Sequence, residues 1–182
     1  MKYKRKMILA EKFCLNVTDG THYSPKYIEN GKKLVTSKHL NRYNIDFSSA
    51  KNISESDFIE INKRSKVDQY DILISMIGTV GNIYIEKNNK IEYACKNVGI
   101  FKMGGDYQKA YYLYYYLQSK KGQEYIVSNL RGTTQSYLTL NSLRKFPIGI
   151  FEEKIQNKIV SILKNIDDKI ELNSKINDNL AA

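Results

Sequence analysis

The chain contains no tryptophan, two prolines, two cysteines and two histidines among its 182 residues. Cys14 and Cys95 cannot build a disulfide framework or a four-ligand zinc site, so both read as reduced core residues. His22 and His39 stand 17 positions apart, without metal-ligand spacing. No run of 18 apolar residues exists, which excludes a membrane-spanning helix. The basic start holds only Met7, Ile8 and Leu9 as a consecutive apolar stretch, too short for a secretory core, so a soluble cytoplasmic chain is expected. Catalytic signatures are missing as well. There is no nucleophile elbow, P-loop or G-x-G-x-x-G turn, and Gly78-Thr79-Val80-Gly81 is not followed by Gly-Lys-Ser/Thr. Glu152-Glu153-Lys154 spells a nuclease motif but opens a helical pattern rather than ending a strand. No active site is expected.

Acidic residues are also scarce, with 19 Asp and Glu against 29 Lys and Arg, a net charge of +10. Residues 1–151 carry 24 basic and 13 acidic side chains, whereas residues 152–182 carry five Lys against six acids. The whole excess therefore sits in the first four-fifths of the chain, the electrostatic footprint of a polyanion binder.

The pattern predicts an α+β fold, with a strand-rich head over residues 1–150 and one long helix over 151–182. In the head, the apolar run Ile72–Ile77, a Gly-bounded turn and the alternation Asn82–Glu86 predict two strands joined tightly. Further strands are expected at 33–36, 91–93, 97–102 and 145–150. Ser54 with Asp57 predicts a capped helix through Ile61, and Asp106 caps a helix over Tyr107–Ser119, followed by another over Lys121–Leu130. Five tyrosines lie within residues 111–116; at helical spacing they belong to the core, with hydroxyls reaching its rim.

From Glu152 to Leu180 there is neither Pro nor Gly, enough for a helix of about 43 Å. Ile155, Ile159, Ile162, Ile166, Lys169, Asn173, Ile176 and Leu180 follow alternating steps of four and three, the spacing of a coiled-coil seam. Asn173 on that seam is the kind of polar residue that fixes register. The stripe predicts a homodimer through Ile155, Ile159, Ile162, Ile166, Asn173, Ile176 and Leu180.

Three polar loops in the basic head suit DNA. The first region contributes Gly20, Thr21, His22, Lys38 and Arg42, the Gly turn contributes Thr79 and Asn82, and the third loop contributes Arg131, Thr133, Thr134, Gln135 and Tyr137. Arg, Asn and Gln can pair bidentately with base edges, whereas Lys, Thr, Ser and Gly N–H suit phosphates.

At these loops the chain resembles the specificity subunit of type I restriction-modification systems. The resemblance is carried by Asp19-Gly20-Thr21-His22-x-x-Pro25, Tyr70–Asn82, Gly132-Thr133-Thr134-Gln135, Phe146-Pro147-Ile148 and Ile162-Leu163-x-x-Ile166-Asp167-x-x-Ile170-x-x-Asn173. It implies a target-recognition domain reading half of a bipartite double-stranded DNA site, and a helix that spaces the halves and docks methyltransferase subunits. Those partners would bind S-adenosylmethionine, leaving this chain without a cofactor or metal, and a motor-nuclease subunit would complete a restriction complex. A full member resembles two such domains and two antiparallel helices, so this chain resembles a half subunit. Two departures stand out: Gly149, Phe151 and Glu152 replace three prolines at the head–helix junction, predicting a looser joint, and Tyr70 replaces a glycine. The alternative is a non-catalytic protein-interaction module in which the basic head binds an acidic protein and the helix pairs with a partner.

Overall fold

The computed structural model describes residues 5–180; the head's limit at residues 1–4 and the terminal Ala181-Ala182 lie outside them. In chain order the elements are β1 (Lys6–Leu9), α1 (Ala10–Phe13), β2 (Asn16–Asp19), β3 (Tyr27–Ile28) and β4 (Lys32–Thr36). A 3-10 turn (Ser37–His39) leads on to β5 (Lys51–Ile53), α2 (Glu55–Ser65), β6 (Ile72–Ser75), β7 (Ile83–Ile85), β8 (Tyr93–Lys96) and β9 (Val98–Lys102). The chain ends with α3 (Tyr107–Gln118), α4 (Lys120–Ser128), α5 (Leu140–Arg144), β10 (Pro147–Ile150) and α6 (Glu153–Leu180).

Two four-stranded sheets are stacked. One has the order β2-β9-β6-β7 and is antiparallel throughout; the other has the order β3-β5-β4-β8, with β4 and β8 parallel. The alternating direction of strand side chains explains the layers. Ile72 and Ile74 of β6, with Ile83 and Ile85 of β7, join a core shared with α3, α4 and α6, while Leu73, Tyr84 and Ile100 turn to the second sheet. With both faces covered, β6 reads as an unbroken apolar run rather than as an alternation. The far face of the second sheet, through Leu34, Ile53 and Ala94, is covered by Phe58 and Ile61 of α2. A separate ribbon pairs β1 with β10.

The caps lie where predicted: the Ser54 side chain accepts from Asp57 N, and that of Asp106 from Lys109 N. Helix α2 runs to Ser65, beyond the expected stop at Ile61. The strand expected at 91–93 is displaced to Tyr93–Lys96. Asn97, with φ 55°, is the corner at which the chain leaves one sheet for the other. Asparagine tolerates this left-handed conformation because its short polar side chain bonds locally.

Tyr70 also has a positive φ, 67°, a conformation glycine adopts without a steric penalty. Its ring is held edge-on to Tyr107, with centroids 5.3 Å apart. The four buried tyrosines Tyr111, Tyr112, Tyr114 and Tyr115 make α3 a core helix, and Tyr112 Oη donates to Gly149 O at 2.5 Å. That bond, the pairing of Gly149 with Met7, and a Gln156 Nε2 donation to Phe151 O at 2.7 Å hold the junction despite its missing prolines. Burial pushes the Cys14 thiol up to about 12 and raises that of Cys95 further. Both cysteines are free and buried.

Candidate nucleic-acid interface

Four segments meet where the two stacked sheets share an end. After β2 the chain runs so close to the β8–β9 corner that Gly20 N donates to Val98 O at 2.8 Å and Thr21 N to Cys95 O at 2.9 Å. A Cβ on Gly20 would stand 2.3 Å from the Cys95 carbonyl oxygen, so the backbone approach demands glycine there. His22 then projects outward, its Nδ1 2.7 Å from Asn97 Oδ1 and its Nε2 3.1 Å from Asp19 Oδ2.

The second segment is the 3-10 turn. Thr36 N donates to His39 Nδ1 at 2.9 Å, so the buried His39 ring serves as a neutral acceptor. Burial, with the neighbouring Lys38 charge, holds its pKa below the ordinary imidazole value. Ser37 Oγ donates to Asn97 O at 2.8 Å and accepts from Met76 N at 3.1 Å and Ile77 N at 3.2 Å. One hydroxyl thereby pins the turn to the β8–β9 corner and to the chain leaving β6. Lys38, between these anchors, is exposed and makes no ion pair among the described residues.

Gly78 and Gly81, with φ 76° and 91°, shape the third segment, leaving Thr79 exposed. Asn82 is turned inward: its N donates to Ser75 Oγ and its Nδ2 to Leu40 O, both at 2.8 Å. The fourth segment is a small hairpin in which Arg131 and Tyr137 exchange backbone hydrogen bonds, both of 2.9 Å. It is fastened to the third by Leu138 N donating to Met76 O at 2.8 Å.

Two neighbouring hollows result. A groove of about 290 Å³ is lined by Lys38, Thr79, Gln135, Ser37, Gly78 and Asn97. A cleft of about 540 Å³ has His22, Asp19, Arg64, Asn97 and Tyr137 on its walls. Arg131, Thr133 and Thr134 are exposed on the same hairpin without lining either hollow. Gly20 and Thr21 are bonded through their backbone to the β8–β9 corner, and Asn82, half-buried, lines a separate hollow with Arg42 and Gln118.

Arg42 departs from expectation. Expected at the DNA loops, it instead reaches the helix: its Nη2 donates to Asp167 Oδ1 of α6 at 3.0 Å, and Tyr43 Oη donates to the same oxygen at 3.2 Å. Asp167 is buried, and Lys87 pairs with Glu171 one turn on. Asp19 and Ser37 lie in loops that the sequence marks as polar but are not among its candidate readers, and Asn97 and Arg64 lie outside those loops. Asn97 offered one signal, an Asn between two strand-like segments; Arg64 offered none, because its partners lie 44 and 45 residues away.

Helix α6 presents two rows. Val160, Leu163 and Asp167 face the head. Ile162, Ile166, Ile170, Ile176 and Leu180 are exposed, as is Asn173, while Ile155 and Ile159 are partly covered by the chain's own head. The outward apolar row therefore starts at Ile162 rather than at Ile155.

The fold and this face are those of a DNA-specificity module. The family model for the type I restriction modification DNA specificity domain matches residues 26–182, and the chain belongs to that family. Among curated proteins no relative matches significantly. Among solved structures, the chain is similar to the S subunit of a type I restriction-modification system from M. genitalium, at 14% identity and TM-score 0.64, covering 96% of this chain and 42% of that one. The HsdS subunit from Thermoanaerobacter tengcongensis gives 12% identity and TM-score 0.61, with 94% and 44% covered. A chain from a structure of type I R-M complex assembly and conformational transition gives 16% identity and TM-score 0.63, with 97% and 41% covered. The chain thus spans less than half the length of each of these solved chains. Among the described residues, no helix is long and apolar enough to cross a membrane.

Proposed function

We propose that this chain reads one half of a bipartite double-stranded DNA target in the cytoplasm and docks methyltransferase subunits that carry S-adenosylmethionine. It contributes no catalytic group, cofactor or metal, and a motor-nuclease subunit joins when the complex restricts. The observation that carries this reading is the joining of three segments by Ser37 and Asn97, with the hairpin fastened to them by Leu138 N donating to Met76 O, into one face whose exposed side chains are Lys38, Thr79, Gln135 and Tyr137. The protein satisfies the backbone of this face internally, and the polar side chains that remain are those that pair with phosphates and base edges.

The outward row of α6 supports pairing of two copies. Apolar residues at Ile162, Ile166, Ile176 and Leu180 have no cover from the chain's own head. A second α6 buries them, and two-fold symmetry then sets two reading heads at a fixed separation. A salt titration of duplex binding tests the DNA reading. Log affinity is expected to fall linearly and steeply with log salt, because each phosphate contact releases counterions. Binding to acidic protein but not to duplex at low salt would favour the interaction-module alternative.

A further inference from the structure

We propose that Arg64 determines specificity at one base pair, and that Asp19 is the positioning residue that holds its guanidinium ready. The inference rests on the loop face being the DNA-reading surface. Arg64 lies near the end of α2, outside every loop, yet its side chain crosses to the loop face. Nη1 donates to Asp19 Oδ1 and Nη2 to Gly20 O, both at 3.0 Å. The Asp19 side chain is only 4% exposed, and its second oxygen lies 3.1 Å from His22 Nε2. A buried carboxylate thus sits between two groups that line the same cleft as Tyr137 and Asn97.

A guanidinium has five N–H donors in a rigid plane. Two are taken by Asp19 and Gly20, and the other three have no hydrogen-bond partner among the described residues, although the side chain is 56% exposed. An arginine tethered at two points has lost most of its rotamer freedom before any ligand arrives, so using its free donors costs less on binding. A fixed planar fork matches the paired acceptors of a base edge, whereas a phosphate contact needs only a charge in roughly the right place. Among the residues lining the cleft, Arg64 is the one presenting such a fork.

The test is selection of bound sequences from a pool of random duplexes by the full chain and its variants. Arg64→Lys keeps the charge and a partner for Asp19 but removes the fork. It is expected to retain the salt dependence of binding while losing roughly tenfold to a hundredfold of preference at one position. Asp19→Asn should blur the same position, with overall affinity held or raised because a negative charge leaves the face. The paired change Asp19→Asn/Arg64→Met leaves neither charge stranded and must lose that same preference. A base profile unchanged in Arg64→Lys overturns the proposal and leaves Arg64 a phosphate contact or a structural partner of Asp19. A lowered unfolding midpoint in Asp19→Asn, with the base profile intact, overturns the positioning role. If the wild-type chain selects no sequence at all, the reading of the loop face fails and this proposal falls with it.

Discussion

The loop face and helix α6 solve the same problem in opposite ways. At the loop face the protein satisfies its own backbone with one hydroxyl, one asparagine and a few carbonyls, and the side chains left over are polar. On α6 the head takes up one row, through Val160, Leu163 and Asp167, and the large apolar side chains left over are isoleucines and two leucines. Each surface is thus defined by what internal packing leaves unused. A polar remainder suits a hydrated polyanion, and an apolar remainder suits a second helix. Arg42 marks the border between the two: it starts from the head's loop region and ends on the helix.

The contrast can be broken at several points. The largest effect is expected for Ile166→Asp, which puts a charge into the outward row at a residue 50% exposed in the single chain. Pairing of two copies through α6, as proposed, should then weaken at least a hundredfold, read as sedimenting mass in analytical ultracentrifugation, while the unfolding free energy of the single chain stays within about 0.5 kcal/mol of wild type. Asp167→Ala, one residue on, should do the reverse. It strips Arg42 and Tyr43 of their shared partner and should cost about 2 kcal/mol of stability by urea unfolding, discounted for the exposure of Arg42. If both variants behave alike, the two rows are not separate.

A smaller effect is expected at the loop face from acid. The folded state holds the His39 pKa below its ordinary value, so the unfolded chain takes up the proton first as pH falls. The stability due to neutral His39 is complete above the unfolded value of about 6.5 and is lost as pH falls through the window down to the folded one. Protonation of Nδ1 also ends its acceptance from Thr36 N, which loosens the turn carrying Ser37 and Lys38. Urea midpoints should fall between about pH 7 and pH 5, and His39→Gln should flatten that slope; an unchanged slope would remove His39 from the account.

Much of the scaffold was legible in the sequence because its signals are local. The run at Ile72 with its glycine turn, the Asp106 cap and the four-three spacing of α6 each announce themselves within a few residues. The missed strands β1, β2, β3 and β5 are two to four residues long and exist only through their partners; β1 pairs with β10 some 140 positions away. The candidate face was legible as loop composition but not as an arrangement. Lys38 and Gln135 meet in one groove because Ser37 and Leu138, distant in sequence, are both hydrogen-bonded to Met76, and no spacing rule contains those contacts. The same reason hid Arg64 and misplaced Arg42, whose partner lies 125 residues further on.

The most direct test of the central claim is duplex affinity measured across salt concentrations for the wild-type chain and for Lys38→Ala/Gln135→Ala. A steep salt dependence is expected for the wild type, with a slope shallower in the variant by about one contact and a loss of sequence preference worth about 1–3 kcal/mol at one base pair. Identical slopes and identical preferences in the two proteins, or no duplex binding by either at about 50 mM salt, would contradict the claim.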